Sequence, residues 1–134
     1  MDSYGLIIRQ PYIGDILSNN KLWELRTANT KRRGLIYLIE SGSGLIKGFT
    51  ELEDSIRLDK KLYDSSFDKH RVSIPYEDCR WNQYAWVMHN THKFLHPYNY
   101  QHPRGAVIWV KLNTENVPDI ISMHQEVLSL LQGR

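Results

Sequence analysis

Apolar and polar positions divide the chain into short blocks, most of which read as strands. Residues 4–9 carry the apolar run Leu6-Ile7-Ile8 and end in polar Arg9 and Gln10. Pro11 suits the opening of a helix, where its missing N–H leaves nothing unpaired. Ile13, Ile16 and Leu17 lie at i, i+3 and i+4, so residues 11–18 predict a short helix with one apolar face. Ser18-Asn19-Asn20 stops it, because asparagine tolerates the left-handed conformation common at such ends. Residues 21–26 alternate like a second strand, and residues 27–34 form a polar, basic loop. Residues 35–40 (Leu-Ile-Tyr-Leu-Ile-Glu) favour β structure and predict a buried strand. Ser41-Gly42-Ser43-Gly44 is a turn by composition. Residues 45–52 predict the next strand, with Gly48 marking a bulge or a close backbone approach.

Residues 53–83 are charged and weakly periodic. They read as a polar insertion over one end of the domain, either a solvated connector or a lid, with a short helix over 55–64 and one helical turn over 75–79. Residues 84–95 predict a long strand, 96–104 a loop rich in Pro, Tyr and His, and 105–112 the last strand. Asn116 is a candidate N-cap with Pro118 in the first turn, which opens a C-terminal helix within 116–132 that ends at Gly133. Its expected apolar stripe is Ile120, His124, Val127, Leu128 and Leu131. Ile121, Met123 and Leu130 fall off that stripe and offer an exposed surface to a possible protein partner. About six strands with no βαβ alternation predict an α+β, mostly β domain spanning 1–134. The expected form is a small mixed, mainly antiparallel barrel with helices at its ends.

Composition narrows the function classes. The net charge is only +2, too small for an overwhelming nucleic-acid field. Residues 1–50 nonetheless carry seven Lys or Arg against four Asp or Glu, whereas residues 51–80 carry six against eight. An anionic ligand therefore fits best near the opening stretch. Four Trp and eight Tyr supply many rings with polar tips. The single cysteine, Cys79, rules out an intrachain disulfide. With no membrane-length apolar run and no signal-peptide pattern, a cytoplasmic, membrane-independent protein is expected.

The chemistry concentrates at the helix-to-strand corner. Strand alternation puts Glu24 and Arg26 on one face, and Lys21, at the corner itself, is able to turn toward them. The three form either a structural ion cluster or the floor of a ligand cleft. As a nucleic-acid cleft, Lys21 and Arg26 bind phosphate, and Arg9 with Lys31, Arg32 and Arg33 extends the basic track. Glu24 accepts from a base amino group such as cytosine N4, and Tyr12 stacks on a base. As a hydrolase, Lys21 acts as a base with its pKa depressed, and Thr27, Ser41 or Ser43 supplies a hydroxyl. His89, His92 and His96 have no carboxylate or Cys pair at ligand spacing, so no metal is expected. No motif calls for a cofactor.

These residues resemble a known family. Asn19-x-Lys21-x-x-Glu24-x-Arg26 is similar to the Gly-x-Lys-x-x-Glu-x-Arg motif of the ASCH domain, the activating-signal-cointegrator homology domain of the PUA-like superfamily. Arg9-Gln10-Pro11-Tyr12 looks like the Gln-Pro-aromatic that opens the helix in its cointegrator branch. Arg33-Gly34-Leu35, the strand around Gly48, and Trp86-Val87, Pro97 and residues 105–112 resemble its later strands. The likeness covers about residues 5–112 and implies a PUA-like open β-barrel of about six strands. It also implies a site at Arg9, Gln10, Tyr12, Lys21, Glu24, Arg26 and Arg33 for RNA, single-stranded nucleic acid or a modified nucleoside. Some relatives are amidohydrolases on N4-acetylcytidine with a Lys-x-x-Thr variant. Here Glu24 stands in the threonine's place and Thr27 is the nearest hydroxyl. If this chain is an enzyme, the resemblance points to Lys21, Glu24 and Thr27, for an amidohydrolase or a ribonuclease.

Overall fold

The computed structural model describes residues 3–133. The outermost residues of the 1–134 span, 1, 2 and 134, lie outside that range. Six strands form one sheet: β1 (Ser3–Ile8), β2 (Trp23–Arg26), β3 (Gly34–Glu40), β4 (Leu45–Arg57), β5 (Tyr84–Asn99) and β6 (Trp109–Leu112). Their order is β2-β5-β4-β3-β1-β6, with β1 and β3 parallel and every other pair antiparallel. The sheet curls without closing, which is the open, mixed α+β barrel expected from the sequence. Helices α1 (Tyr12–Leu17), α2 (Lys60–Ser65), α3 (Phe67–His70) and α4 (Ile120–Gly133) flank it.

The alternation in β3 explains why its apolar run is unbroken. Ile36 and Leu38 point to one buried cluster with Leu6, Ile13, Ile16 and Trp86. Tyr37 and Ile39 point to another with Phe49, Phe94, Val110 and Met123. A strand buried on both faces has no polar positions to spare. Helix α1 packs Ile13, Ile16 and Leu17 inward. It ends as its sequence predicts, with Asn19 left-handed at φ 66°. The amides of Asn20 and Lys21 both donate to Asp15 O at 3.0 Å, so the chain turns sharply into β2.

Gly48 marks both a bulge and a close approach. The β4–β5 register shifts between Ile46 and Gly48, and a Cβ on Gly48 would lie 2.3 Å from His92 O and 2.7 Å from Leu17 Cδ2. Backbone oxygen cannot move aside as a side chain does. Gly48→Ala is therefore expected to lose about 2 kcal/mol, as overpacking in a tight core does. A urea midpoint equal to that of the parent chain would contradict the close approach.

Several boundaries differ from the sequence expectation. Strand β4 continues through Arg57, because Asp54 to Arg57 pair with Tyr84 to Val87, so the helix expected over 55–64 begins only at Lys60 with Asp59 as its N-cap. Strand β5 takes in residues 96–99, while β6 is shorter than predicted. Asn116 does not cap α4. Its Oδ1 accepts from Asn113 N at 3.0 Å and stabilises the preceding turn. On α4 the buried face is Ile120, Met123 and Val127, with Leu130 packed beside it. This i, i+3, i+7, i+10 spacing rotates the stripe away from Leu128 and Leu131. Met123 is thus 0 % exposed where exposure was expected, whereas Ile121 is 69 % and Leu128 58 % exposed. Among the described residues no helix is long and apolar enough to cross a membrane.

Residues 58–81 supply a third buried cluster rather than a solvated connector. Leu58, Tyr63, Val72 and Cys79 pack on Trp23, Leu25 and Ala85 of β2 and β5. The segment is also tied to the corner after α1. Leu22 N donates to Lys69 O at 2.8 Å and Arg71 Nε to Asn20 O at 3.1 Å. It therefore stands as a fixed wall beside the corner.

Candidate functional site

A cleft of about 260 Å³ opens where the curled sheet fails to close, between β2 at one edge and β1 near the other. Arg26 bridges this seam. Its Nη2 donates to Ile7 O at 2.8 Å and its Nε to Glu24 Oε2 at 3.1 Å. Glu24 is 7 % exposed and Lys21 1 %, so two of the three charges are buried. Lys21 Nζ lies 3.9 Å from Glu24 Oε1, on the side of the carboxylate away from Arg26. Strand β2 begins at Trp23, so Lys21 is not bound by strand alternation and turns inward beside Glu24.

Lys21 is held from behind. Its Nζ donates to His70 O at 2.5 Å. His70 is itself fixed: Nδ1 accepts from Val72 N at 3.0 Å, so the hydrogen sits on Nε2 and is donated to Tyr63 O at 2.9 Å. Burial pulls the Lys21 pKa from 10.5 down to about 8; Glu24 and then Asp15 oppose the fall, and Arg26 adds to it. Burial likewise lowers the His70 pKa, which the backbone bond to Tyr63 opposes and the Lys21 charge reinforces. An ammonium carries three donors. One is committed to His70 O, which leaves others for a ligand above the floor.

The walls are aromatic and aliphatic. The Tyr12 and Trp81 rings meet edge to face at 5.9 Å. The Arg9 guanidinium lies 4.6 Å from the Trp81 ring and 5.8 Å from the Tyr12 ring, at an exposed rim. Val72 and Val107 complete the apolar lining, and Ser41 brings a hydroxyl. Trp81, Val72 and Val107 were not singled out by the sequence reading. They come from segments far from the corner, and the one available signal was a lone tryptophan in a polar stretch.

Not every residue named from the sequence reaches this cleft. Arg9, Tyr12, Lys21, Glu24 and Arg26 converge on it. Gln10 sits on the outer side of α1, where Nε2 donates to Glu40 Oε1 at 3.2 Å and Oε1 accepts from Gly14 N at 3.3 Å. Arg33 precedes β3 whereas Ser41 follows it, so the length of the strand separates Arg33 from the cleft. Arg33 Nη1 donates to Thr30 O and Arg32 O, and Nη2 lies 3.6 Å from Asp54. Arg32 packs against the Tyr4 and Trp109 rings at 3.8 and 4.6 Å. The basic loop therefore does not continue the charged track. Thr27 follows β2 on an exposed bend and is not part of the lining.

The histidines are spread out as well. His89 lies 3.9 Å from Glu53, and His92 stacks on Phe49 at 5.1 Å with Nε2 near Asn90 Oδ1. Among the described residues no group of three or more His, Cys, Asp or Glu converges as a metal site would require.

Solved structures share this architecture. The ASCH protein from Zymomonas mobilis superposes with a TM-score of 0.63 over 96 % of this chain and 94 % of its own, at 16 % identity. Two mutant forms of the same protein give TM-scores of 0.64 and 0.65 at the same identity, covering 95 % and 97 % of their chains. At that identity the likeness establishes the fold alone: this chain shares the architecture of that ASCH protein. No protein-family model and no curated protein sequence matches the chain.

Proposed function

We propose that this chain is a nucleic-acid-binding module that takes an unstacked base of single-stranded RNA into the cleft. The observation that carries this reading is the pairing of a buried donor–acceptor floor, Lys21 and Glu24, with ring walls, Tyr12 and Trp81, in one small cleft. Its volume of about 260 Å³ lies just below the ~300–1,000 Å³ usual for drug-sized ligands, which suits one base or nucleoside. Glu24 Oε1 accepts from an exocyclic amino group such as cytosine N4, and Lys21 donates to an adjacent ring nitrogen or carbonyl. Lys21 is too deeply buried to serve as a phosphate contact. Arg9 at the rim takes that role, and Arg26 keeps the floor in shape. The single buried thiol, Cys79, suits a reducing, cytoplasmic setting.

Titration of short single-stranded oligonucleotides at low salt is expected to shift the amides of residues 9–26 and to quench Trp81. Each phosphate contact on a single strand contributes a slope of about −0.7 in log K against log salt. Arg9→Ala should therefore flatten the salt dependence by ~0.7 while leaving base preference intact. Silence of residues 9–26 at low salt would overturn the proposal.

A second reading, hydrolysis of a modified nucleoside, is favoured by the Lys21 pKa of about 8, which leaves part of the amine neutral at mildly alkaline pH. Ser41 supplies the aliphatic hydroxyl of the lining, which does not include Thr27. A screen of N4-acylcytidines and RNA tests it. Turnover that rises through pH 8 and disappears in Lys21→Met supports catalysis, and absence of turnover removes this reading.

A further inference from the structure

The cleft does not end at Ser41. A second cavity of about 420 Å³ shares Ile7, Ser41 and Val107 with the first, so the two form one continuous depression across the ends of β1 and β3. Its walls differ in kind from the first. On one side is the turn after β3, where Gly42 and Gly44 are left-handed at φ 76° and 69°. Without a Cβ, these residues present bare main chain to the cavity. On the other side are Tyr100 and His102.

His102 is held by two partners. Ala106 O only accepts, so the hydrogen sits on Nε2 at 2.8 Å from it. Nδ1 is hydrogen-bonded to the Tyr100 hydroxyl at 2.8 Å. Both ring nitrogens are occupied inside the protein, so what the exposed His102 has left for a ligand is ring surface. Among the described residues no Lys, Arg, Asp or Glu lines this second cavity. A neutral, flat group suits such walls, and a phosphate or a charged peptide does not.

We propose that this second compartment is a subsite for the neighbouring nucleotide of the same strand. The ligand is then a single strand of at least two nucleotides and not a free nucleoside. This rests on the first compartment taking a base, as argued above. One base lies over Lys21 and Glu24, and the next lies between the glycine turn and the His102 ring. The Ser41 hydroxyl, on the rim common to both, faces the phosphate that joins them.

The test compares the four nucleoside monophosphates with the sixteen RNA dinucleotides on the isotope-labelled chain. Monophosphates are expected to shift Tyr12, Lys21 and Trp81 only. Dinucleotides should also shift Gly42, Gly44 and His102, and the best should bind about tenfold more tightly, as one further stacked base provides. In His102→Ala the advantage of dinucleotide over monophosphate should fall to about twofold or less. Monophosphate binding with dinucleotides no tighter, or tighter with Gly42 and Gly44 silent, overturns the second subsite and leaves the first reading standing. If neither ligand shifts residues 9–26, both fall together.

Discussion

Glu24→Ala is expected to lower the unfolding free energy by about 3–5 kcal/mol, the usual result of breaking a buried ion pair from one side. The carboxylate is 7 % exposed and stands between two cations, 2.9 Å from Arg26 Nη2 and 3.9 Å from Lys21 Nζ. Its removal leaves like charges facing each other across the seam. Arg26 cannot release its proton, so Lys21 must respond. The attraction of Glu24 is the largest influence holding the Lys21 pKa up against burial, and without it that pKa falls further. Arg26 also loses the acceptor that aims it at Ile7 O, the contact that ties β2 to β1 across the opening of the sheet. Glu24→Gln keeps an oxygen acceptor and the shape of the side chain, and is expected to lose less. Urea unfolding of both variants at pH 7 measures the difference. A loss under about 1 kcal/mol for Glu24→Ala would mean that water already screens these charges.

The parts of the fold that were legible in the sequence are those fixed by local pattern. The face of α1, the left-handed Asn19, the doubly buried β3 and the approach at Gly48 depend on spacing within a few residues. The end of β5 was not legible, because its composition contradicts its pairing. His96 and Pro97 read as loop, yet Tyr98 and Asn99 pair with Ile46 and Leu45. The register jumps there, from Gly48 opposite Lys93 to Ile46 opposite Tyr98, so residues 94–97 bulge opposite Lys47 alone. A bulge accommodates a proline that regular pairing would exclude. The same distinction holds at the site. Arg9, Tyr12, Lys21, Glu24 and Arg26 come from one continuous stretch, and a sequence motif exposes them together. Trp81, Val72 and Val107 reach the cleft only through tertiary packing, and Arg33 misses it because β3 carries it to the far end.

Lys21→Met is expected to separate the two contributions of one side chain, weakening ligand binding about 100-fold while leaving stability at pH 7 within about 1 kcal/mol of the parent. The buried ammonium is destabilising. Its pKa is 10.5 when unfolded and about 8 when folded, a gap worth ~3 kcal/mol at most. Below pH 8 both states carry the proton and the whole penalty is present. Between pH 8 and 10.5 the unfolded chain holds more protons, so stability rises with pH. Methionine removes that penalty but leaves His70 O without its donor, a loss of about 1–3 kcal/mol that nearly offsets the gain. Glu24 keeps Arg26 and is not orphaned. The parent chain should therefore become more stable from pH 8 to 10, and Lys21→Met should not. The other shifted groups fall outside this window. The lowered His70 pKa removes stability only as pH falls below 6.5. The Tyr37 pKa, raised by burial from 10 to about 12, removes it only above pH 10. A parent chain with flat stability across pH 8–10, or a variant that gains stability in parallel with it, would show that the Lys21 ammonium reaches water and is not the buried donor at the floor of the cleft.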